Sequence, residues 1–262
     1  MGLRGSGFHR TDQQRGRGLS ARQWSRSALA AVAVAAALVA ACGDSQDETS
    51  GTTTPTAMPT AAPSPEQQLL EQVVLRTEDL PPGLVQVDAG ISTNEEVAAG
   101  EEDPEQELAR LESLGRLLGY EVNFVPGSES PPERRIFAVT STASLYRTPQ
   151  GASGSFADDA QAAREADWPA AYPDLADIEV REVERPELAD EVYWIRITGL
   201  QDGEDSRMFI EDFVVLRRSR VRCFVRAVSL VEVAAGRDAL LQDVADLAAL
   251  QIQRIDDALQ GS

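Results

Sequence analysis

The chain has 262 residues, 43 acidic and 24 basic, for a formal charge of −19, with two cysteines and one histidine, His9. Every basic residue is arginine and no lysine occurs, which excludes Ser-Lys pairs, Schiff-base lysines and the lysine of a phosphate-binding loop. A hydrophobic content of 42% supports a packed core, and the acidic excess argues against nucleic acid as a partner.

The first 41 residues hold six arginines and one aspartate, a net of +5, so everything from Cys42 onward carries −24. Arg4, Arg10, Arg15, Arg17, Arg22 and Arg26 precede an uncharged, alanine- and valine-rich run from Ala28 to Ala41. That order of basic, apolar and small residues is the layout of a secretory signal. At ~1.5 Å per residue the run spans about 21 Å, short of the ~30 Å hydrocarbon core, so it reads as a segment to be removed. Paired arginines of the twin-arginine kind are missing, which favours the general secretion route.

Val39-Ala40-Ala41-Cys42 resembles the bacterial lipobox, in which small residues precede a cysteine. The resemblance implies acylation of Cys42, cleavage between Ala41 and Cys42, and a lipid anchor in the membrane. Two or three acyl chains anchor stably where one is marginal, at ~0.8 kcal/mol per buried methylene. An ordinary signal peptide followed by a chance cysteine is the competing reading. Residues 1–41 are thus expected to be a signal peptide, 42–65 a lipidated tether and 66–262 a single extracytoplasmic domain.

Gly43 to Pro65 is rich in threonine and proline and too poor in apolar surface to offset its ordering entropy. About twenty such residues reach on the order of 25 Å. A tether of that length lets an acidic body stand away from anionic lipid.

Folding is expected from Ser64-Pro65-Glu66, a helix start followed by Leu69, Leu70, Val73 and Val74 on one stripe. Pro81-Pro82-Gly83 breaks that helix. Asp103-Pro104-Glu105 opens a second helix, with Leu108, Leu111, Leu114 and Leu118 spaced by three and four and a stop expected at Gly119. Strands are expected at Tyr120 to Val125 and Ile136 to Tyr146, then a helix around Phe156 to Ala166. Three or four further strands follow, around Ile178 to Val183, Val192 to Thr198, Met208 to Leu216 and Val221 to Leu230. The last two flank Arg217-Arg218-Ser219-Arg220 and read as a hairpin with a basic tip. A final amphipathic helix is expected from Arg237 to Leu259. Strands run together without strand-helix alternation, which predicts an α+β fold with an antiparallel sheet and a C-terminal amphipathic helix.

Asp79-Leu80-Pro81-Pro82-Gly83, Thr140-Ser141-Thr142-Ala143, Ala189-Asp190-Glu191-Val192, the arginine-rich hairpin and the terminal helix together resemble extracytoplasmic sensor and PsbP-like lipoprotein domains of high-GC bacteria. Among these is the outer domain of a mycobacterial serine/threonine kinase. The resemblance implies a curved antiparallel sheet with helices on one face. The disulfides of the kinase domains do not carry over, since the mature chain here has only Cys223 beyond the lipobox.

If His9 leaves with the signal, no histidine remains for a catalytic triad or a metal site, so no catalytic residue, metal or cofactor is assigned. Cys223 alternates with Val221, Val225 and Ala227 and reads as a buried small hydrophobe, with Arg222 and Arg226 on the other face. Trp168 and Trp194 read as core. Glu101-Glu102-Asp103-Glu105-Glu107 reads as capping and a solvated helix start. Asp202-Gly203-Glu204-Asp205 reads as a turn, with weak calcium binding the alternative. Arg217, Arg218, Arg220 and Arg222, with Arg226 beside them, form a candidate anion-binding group, because guanidinium forks suit phosphate and carboxylate. Pairing with acids on neighbouring strands is the other reading. The functional expectation is a non-catalytic ligand-binding or sensing domain, not an enzyme, taking an unidentified small ligand or envelope protein. A carboxylate-dependent hydrolase of envelope glycans and a structural partner of an envelope complex are the alternatives.

Overall fold

The computed structural model describes residues 62–128, 136–201 and 207–261. The signal, the lipobox with Ala41 and Cys42, the tether up to residue 61 and the Asp202-Gly203-Glu204-Asp205 turn lie outside the described residues.

Helix α1 (Pro65–Val73) begins where expected, with the Ser64 hydroxyl accepting from the Gln67 amide at 3.2 Å and Pro65 in the first turn. Leu69, Leu70, Val73 and Val74 are all buried. A 3-10 turn (Thr77–Asp79) and Gly83, at φ 86°, then reverse the chain into β1 (Leu84–Ser92). After β1, α2 (Asn94–Ala99) is closed by a reciprocal cap between Thr93 and Glu96. Helix α3 (Pro104–Ser113) is capped by Asp103.

The leucine spacing carries the expected second helix too far. Gly115 adopts φ 69°, the left-handed conformation that ends helices, and the chain passes directly into β2 (Arg116–Pro126). Leu118 is therefore a strand residue. Beyond β3 (Ile136–Tyr146) come α4 (Pro149–Glu165), the short α5 (Trp168–Ala171), β4 (Leu175–Glu182), β5 (Glu191–Gln201), β6 (Arg207–Arg218) and β7 (Val221–Glu232). The last helix, α6 (Leu241–Gln260), starts four residues later than the sequence suggests.

The seven strands among the described residues form one antiparallel sheet in the order β1-β2-β3-β7-β6-β5-β4. Two meanders, β1 to β3 and β4 to β7, join where β3 pairs with β7. One face carries Phe124, Val139, Ala143, Trp194, Val214, Leu216, Cys223 and Val225, covered by α1 and α6. The opposite face of β5 and β6 carries Tyr193, Ile195, Ile197, Phe213 and Val215, which pack with Ala160 and Ala163 of α4 and Trp168 of α5.

The α+β class, the antiparallel sheet and the C-terminal helix are those read from the sequence. Helices, however, cover both faces. The cause is visible in Tyr193-Trp194-Ile195 and Phe213-Val214-Val215-Leu216, where consecutive residues are all buried. Strands apolar on both sides need cover on both sides.

Candidate functional site

The hairpin tip is built by β6 and β7, with Ser219 in the left-handed region at φ 54°. Most of its arginines are met by carboxylates. Arg217 pairs with Glu191 and, at 3.1 Å, with Asp190. Arg218 bridges Asp190 at 3.0 Å and Asp256 of α6 at 2.8 Å. Asp190 also accepts from the Ser219 amide at 2.8 Å. Burial raises its carboxyl, but the Ser219 amide, Arg218 and Arg217 outweigh that and hold it below the usual carboxylate range. Arg222 and Arg226 point to the other face, where they pair with Asp159 of α4 and Glu211 of β6. Among the described residues, Arg220 is the member of the group with no carboxylate partner, and its main-chain carbonyl accepts from the Tyr146 amide. The tip is thus an internally neutralised lattice tying β5, β6 and α6.

Cys223 is fully buried and free, and burial pushes its thiol up to about 12. Trp168 and Trp194 are core residues. In the acidic run before and within α3, Asp103 caps the helix while Glu107 is buried and receives both Nε and Nη2 of Arg110, at 2.8 and 2.7 Å. Glu107 therefore departs from the expected solvated face.

Among the described residues, buried polar groups meet in networks that the sequence reading did not assemble. Arg196, at 0% exposure, forms a double hydrogen bond with Asp212 at 2.8 and 2.7 Å, and Trp194 Nε1 donates to the same carboxylate at 2.7 Å. Arg196 Nη1 also donates to the carbonyls of Arg237 and Ala239, at 3.1 and 2.9 Å. These bonds hold residues 237–240 as a turn with Leu240 at φ 63°, which explains the late start of α6. On the opposite face, Glu211 receives Arg226 and, at 2.6 Å, the hydroxyl of Tyr172. Arg116, nearly buried, is satisfied by neutral groups only: Ser92, Asn94 and Ser144. Burial lowers its pKa to about 10, so it stays a cation at neutral pH. A lone arginine and a lone aspartate at matched positions of adjacent apolar strands was the available signal.

The described residues also line open clefts, two of which are well placed to be considered. One, of about 500 Å³, lies between α4 and β5 and is lined by Phe156, Gln161, Arg164, Glu165, Glu191 and Tyr193. Arg164 sits 4.4 Å above the Tyr193 ring, and both oxygens of Glu191 are engaged, by Ser153 and Arg217. The second, of about 290 Å³, has Leu80, Pro81, Ile136, Leu247 and Leu250 along it, with Asp79, Asp243 and Asp246 at its rim. No group of three or more potential metal ligands is arranged around a common point among the described residues.

The sheet has two outer strands, and they differ. β4 carries Glu179, Arg181 and Glu182, with Arg181 paired to Asp238 and Glu182 to Arg164. β1 has one charge, Asp88, and leaves Val85 (43%), Val87 (57%) and Ile91 (38%) exposed. Val87 occupies a bulge between Gln86 and Asp88.

No family model and no curated protein matches the chain. Among solved structures, it is similar to the extracellular domain of PknH from Mycobacterium tuberculosis at 10% identity and a TM-score of 0.38, over 72% of this chain and 96% of that one. A likeness of that size carries no argument about what the chain does. No helix among the described residues is long and apolar enough to cross a membrane.

Proposed function

We propose that the chain is a lipid-anchored extracytoplasmic lipoprotein whose domain binds a ligand or an envelope protein without catalysing a reaction. The observation that carries the reading is Val39-Ala40-Ala41-Cys42 at the end of a basic, then apolar, leader. The threonine- and proline-rich stretch after it supports a tether, which separates the −24 body from anionic lipid. Within the domain, the closed Cys223 and the arginines matched to acids support binding through surface shape over nucleophilic or phosphate chemistry.

The test is expression of the full chain in a lipoprotein-processing host with an alkyne-tagged palmitate. The expected result is label in the membrane fraction and a mature protein beginning at Cys42, with both lost in Cys42→Ala. Membrane retention of the unlabelled Cys42→Ala protein overturns the anchor.

Hydrolysis of envelope glycans has one observation in its favour, that Glu165 and Glu191 line one cleft. Glu191 is tied by Arg217 and Ser153, which suits a structural carboxylate better than a catalytic one. Release of reducing ends from purified cell-wall glycan, abolished by Glu165→Gln, would favour that second reading.

A further inference from the structure

The cleft between α4 and β5 holds an arginine that is fixed in position and only half used. Arg164 Nε donates to Glu182 at 2.9 Å, and the guanidinium lies 4.4 Å above the Tyr193 ring. Among the described residues no acceptor meets its Nη1 or Nη2, so the end of the fork, which suits a carboxylate, is open. Glu165 lines the same cleft, and its partner is a neutral group, the Gln161 amide, at 2.8 Å. Among the described residues no ion pair joins Glu165 to Arg164. The third charged group of the cleft, Glu191, has one oxygen engaged by Ser153 and the other by Arg217. Phe156, Ala157, Ala160 and Val192 supply an apolar wall, and the volume of about 500 Å³ lies in the range of small-ligand sites, roughly 300 to 1,000 Å³.

From this arrangement we infer that the cleft binds a free α-amino acid with an aliphatic side chain. Its carboxylate meets the open end of Arg164, its ammonium meets Glu165, and its side chain lies against the apolar wall. A cation and an anion held apart in one cleft are complementary to a zwitterion and to neither charge alone. A simple anion such as phosphate would face Glu165, and a simple amine would face Arg164. A sugar is disfavoured, because Arg164 already covers the face of Tyr193 on which its ring would stack. The inference names the ligand class of the proposed binding domain and rests on that reading in this respect alone, since the lipid anchor plays no part in it.

The probes are L-leucine, 4-methylpentanoate, which lacks the ammonium, 3-methylbutylamine, which lacks the carboxylate, and N-acetylglucosamine. Calorimetric titration is made on the detergent-solubilised full chain and on its Cys42→Ala variant, so that loss of anchoring and loss of binding are read separately. The expected result is saturable binding of leucine by both proteins, weakened about tenfold or more in each analogue that lacks one charged group. Arg164→Met keeps an apolar stem over Tyr193 and should weaken leucine by about tenfold or more while binding 3-methylbutylamine no more weakly than the parent does. Glu165→Gln should weaken leucine to a similar extent while binding 4-methylpentanoate no more weakly. Both positions are exposed, so thermal melts of the two variants should match the parent. Equal binding of either analogue, leucine binding unchanged by either substitution, or binding of N-acetylglucosamine in place of leucine would overturn the assignment. Absence of leucine binding would overturn it as well, and would leave the anchor, read by palmitate label, standing.

Discussion

Replacing Arg196 by methionine tests whether the buried network organises the domain. The substitution keeps the apolar stem and removes a guanidinium at 0% exposure, leaving the Asp212 carboxylate, at 1%, with Trp194 Nε1 as its remaining side-chain donor. Removing one partner of a buried pair costs about 3 to 5 kcal/mol, most of it from the stranded charge. For a domain near 200 residues, ~2 to 4 °C is lost per kcal/mol, so the melting temperature should fall by about 6 to 20 °C. The carbonyls of Arg237 and Ala239 also lose their donor, so amide exchange at the start of α6 should rise more than exchange in β2. Adding Asp212→Leu removes the stranded charge and should recover part of the loss, leaving the unpaired Trp194 N–H at about 1 to 3 kcal/mol. Thermal melts and hydrogen exchange on the parent, the single and the double variant decide the matter. A single variant within about 1 kcal/mol of the parent, or a double variant no better than the single, refutes the reasoning.

Three further outcomes follow from the same structure. A Cβ at Gly151 would run into the main-chain carbonyl of Leu114, where α4 begins against the end of α3, so Gly151→Ala should cost about 1 to 3 kcal/mol in a urea titration. Asp190 has a folded pKa below its unfolded one, so its contribution is complete above the unfolded value near ~3.9 and disappears as pH falls through the folded value. Asp190→Asn should therefore be less stable than the parent at neutral pH and approach it in acid, read from denaturation midpoints across pH 2 to 7 taken as roughly bracketing that window. With its thiol near 12, Cys223 should resist iodoacetamide at about pH 8 in the native protein and react readily in guanidinium, and mass spectrometry of the alkylated protein reports both.

What was legible in the sequence follows from how strongly each segment is buried. β3 was bounded as Ile136 to Tyr146 because its β-branched and aromatic residues contrast with the flanking sequence, and its observed ends are the same. β1 and α2 escaped notice for opposite reasons. β1 does alternate from Val85 to Ser92, but Ala89 and Gly90 weaken the pattern and, as an outer strand with mostly exposed side chains, it carries little apolar bulk to mark it. α2 has six residues, too few for a periodic stripe, although Thr93 and Glu96 already spelled its capping box. The end of α3 was misplaced because Leu114 and Leu118 keep the helical spacing by coincidence, while Gly115 alone carries the stop. For the hairpin arginines, pairing with acids was one of the two readings but the partners were not legible: Asp159, Asp190, Glu191, Glu211 and Asp256 come from α4, the β4–β5 connection, β5, β6 and α6. Such convergence is a property of the register. The short motifs noted at the outset prove to be fasteners: Ser141 Oγ accepts from the Leu75 amide, the Thr142 carbonyl from Gln251, and Asp79 from Arg254.

The exclusive use of arginine has a structural consequence that connects these fasteners to the surface. Arg196 joins the sheet to the turn before α6, Arg254 joins α6 to the 3-10 turn, Arg222 joins β7 to α4, and Arg218 joins the hairpin to α6. Arg196 uses its planar fork to meet a carboxylate and two carbonyls, and Arg218 meets two acids from different elements, which a single ammonium does less well. Inward-turned arginines leave the unmatched acids outside. One-to-one pairing leaves the net charge of the exterior as it was, but fewer cations stand among the remaining acids, most of all between Ala62 and Ser128, where arginines are fewest. A body of that kind is repelled by an anionic bilayer, which is the physical reason a tether suits it.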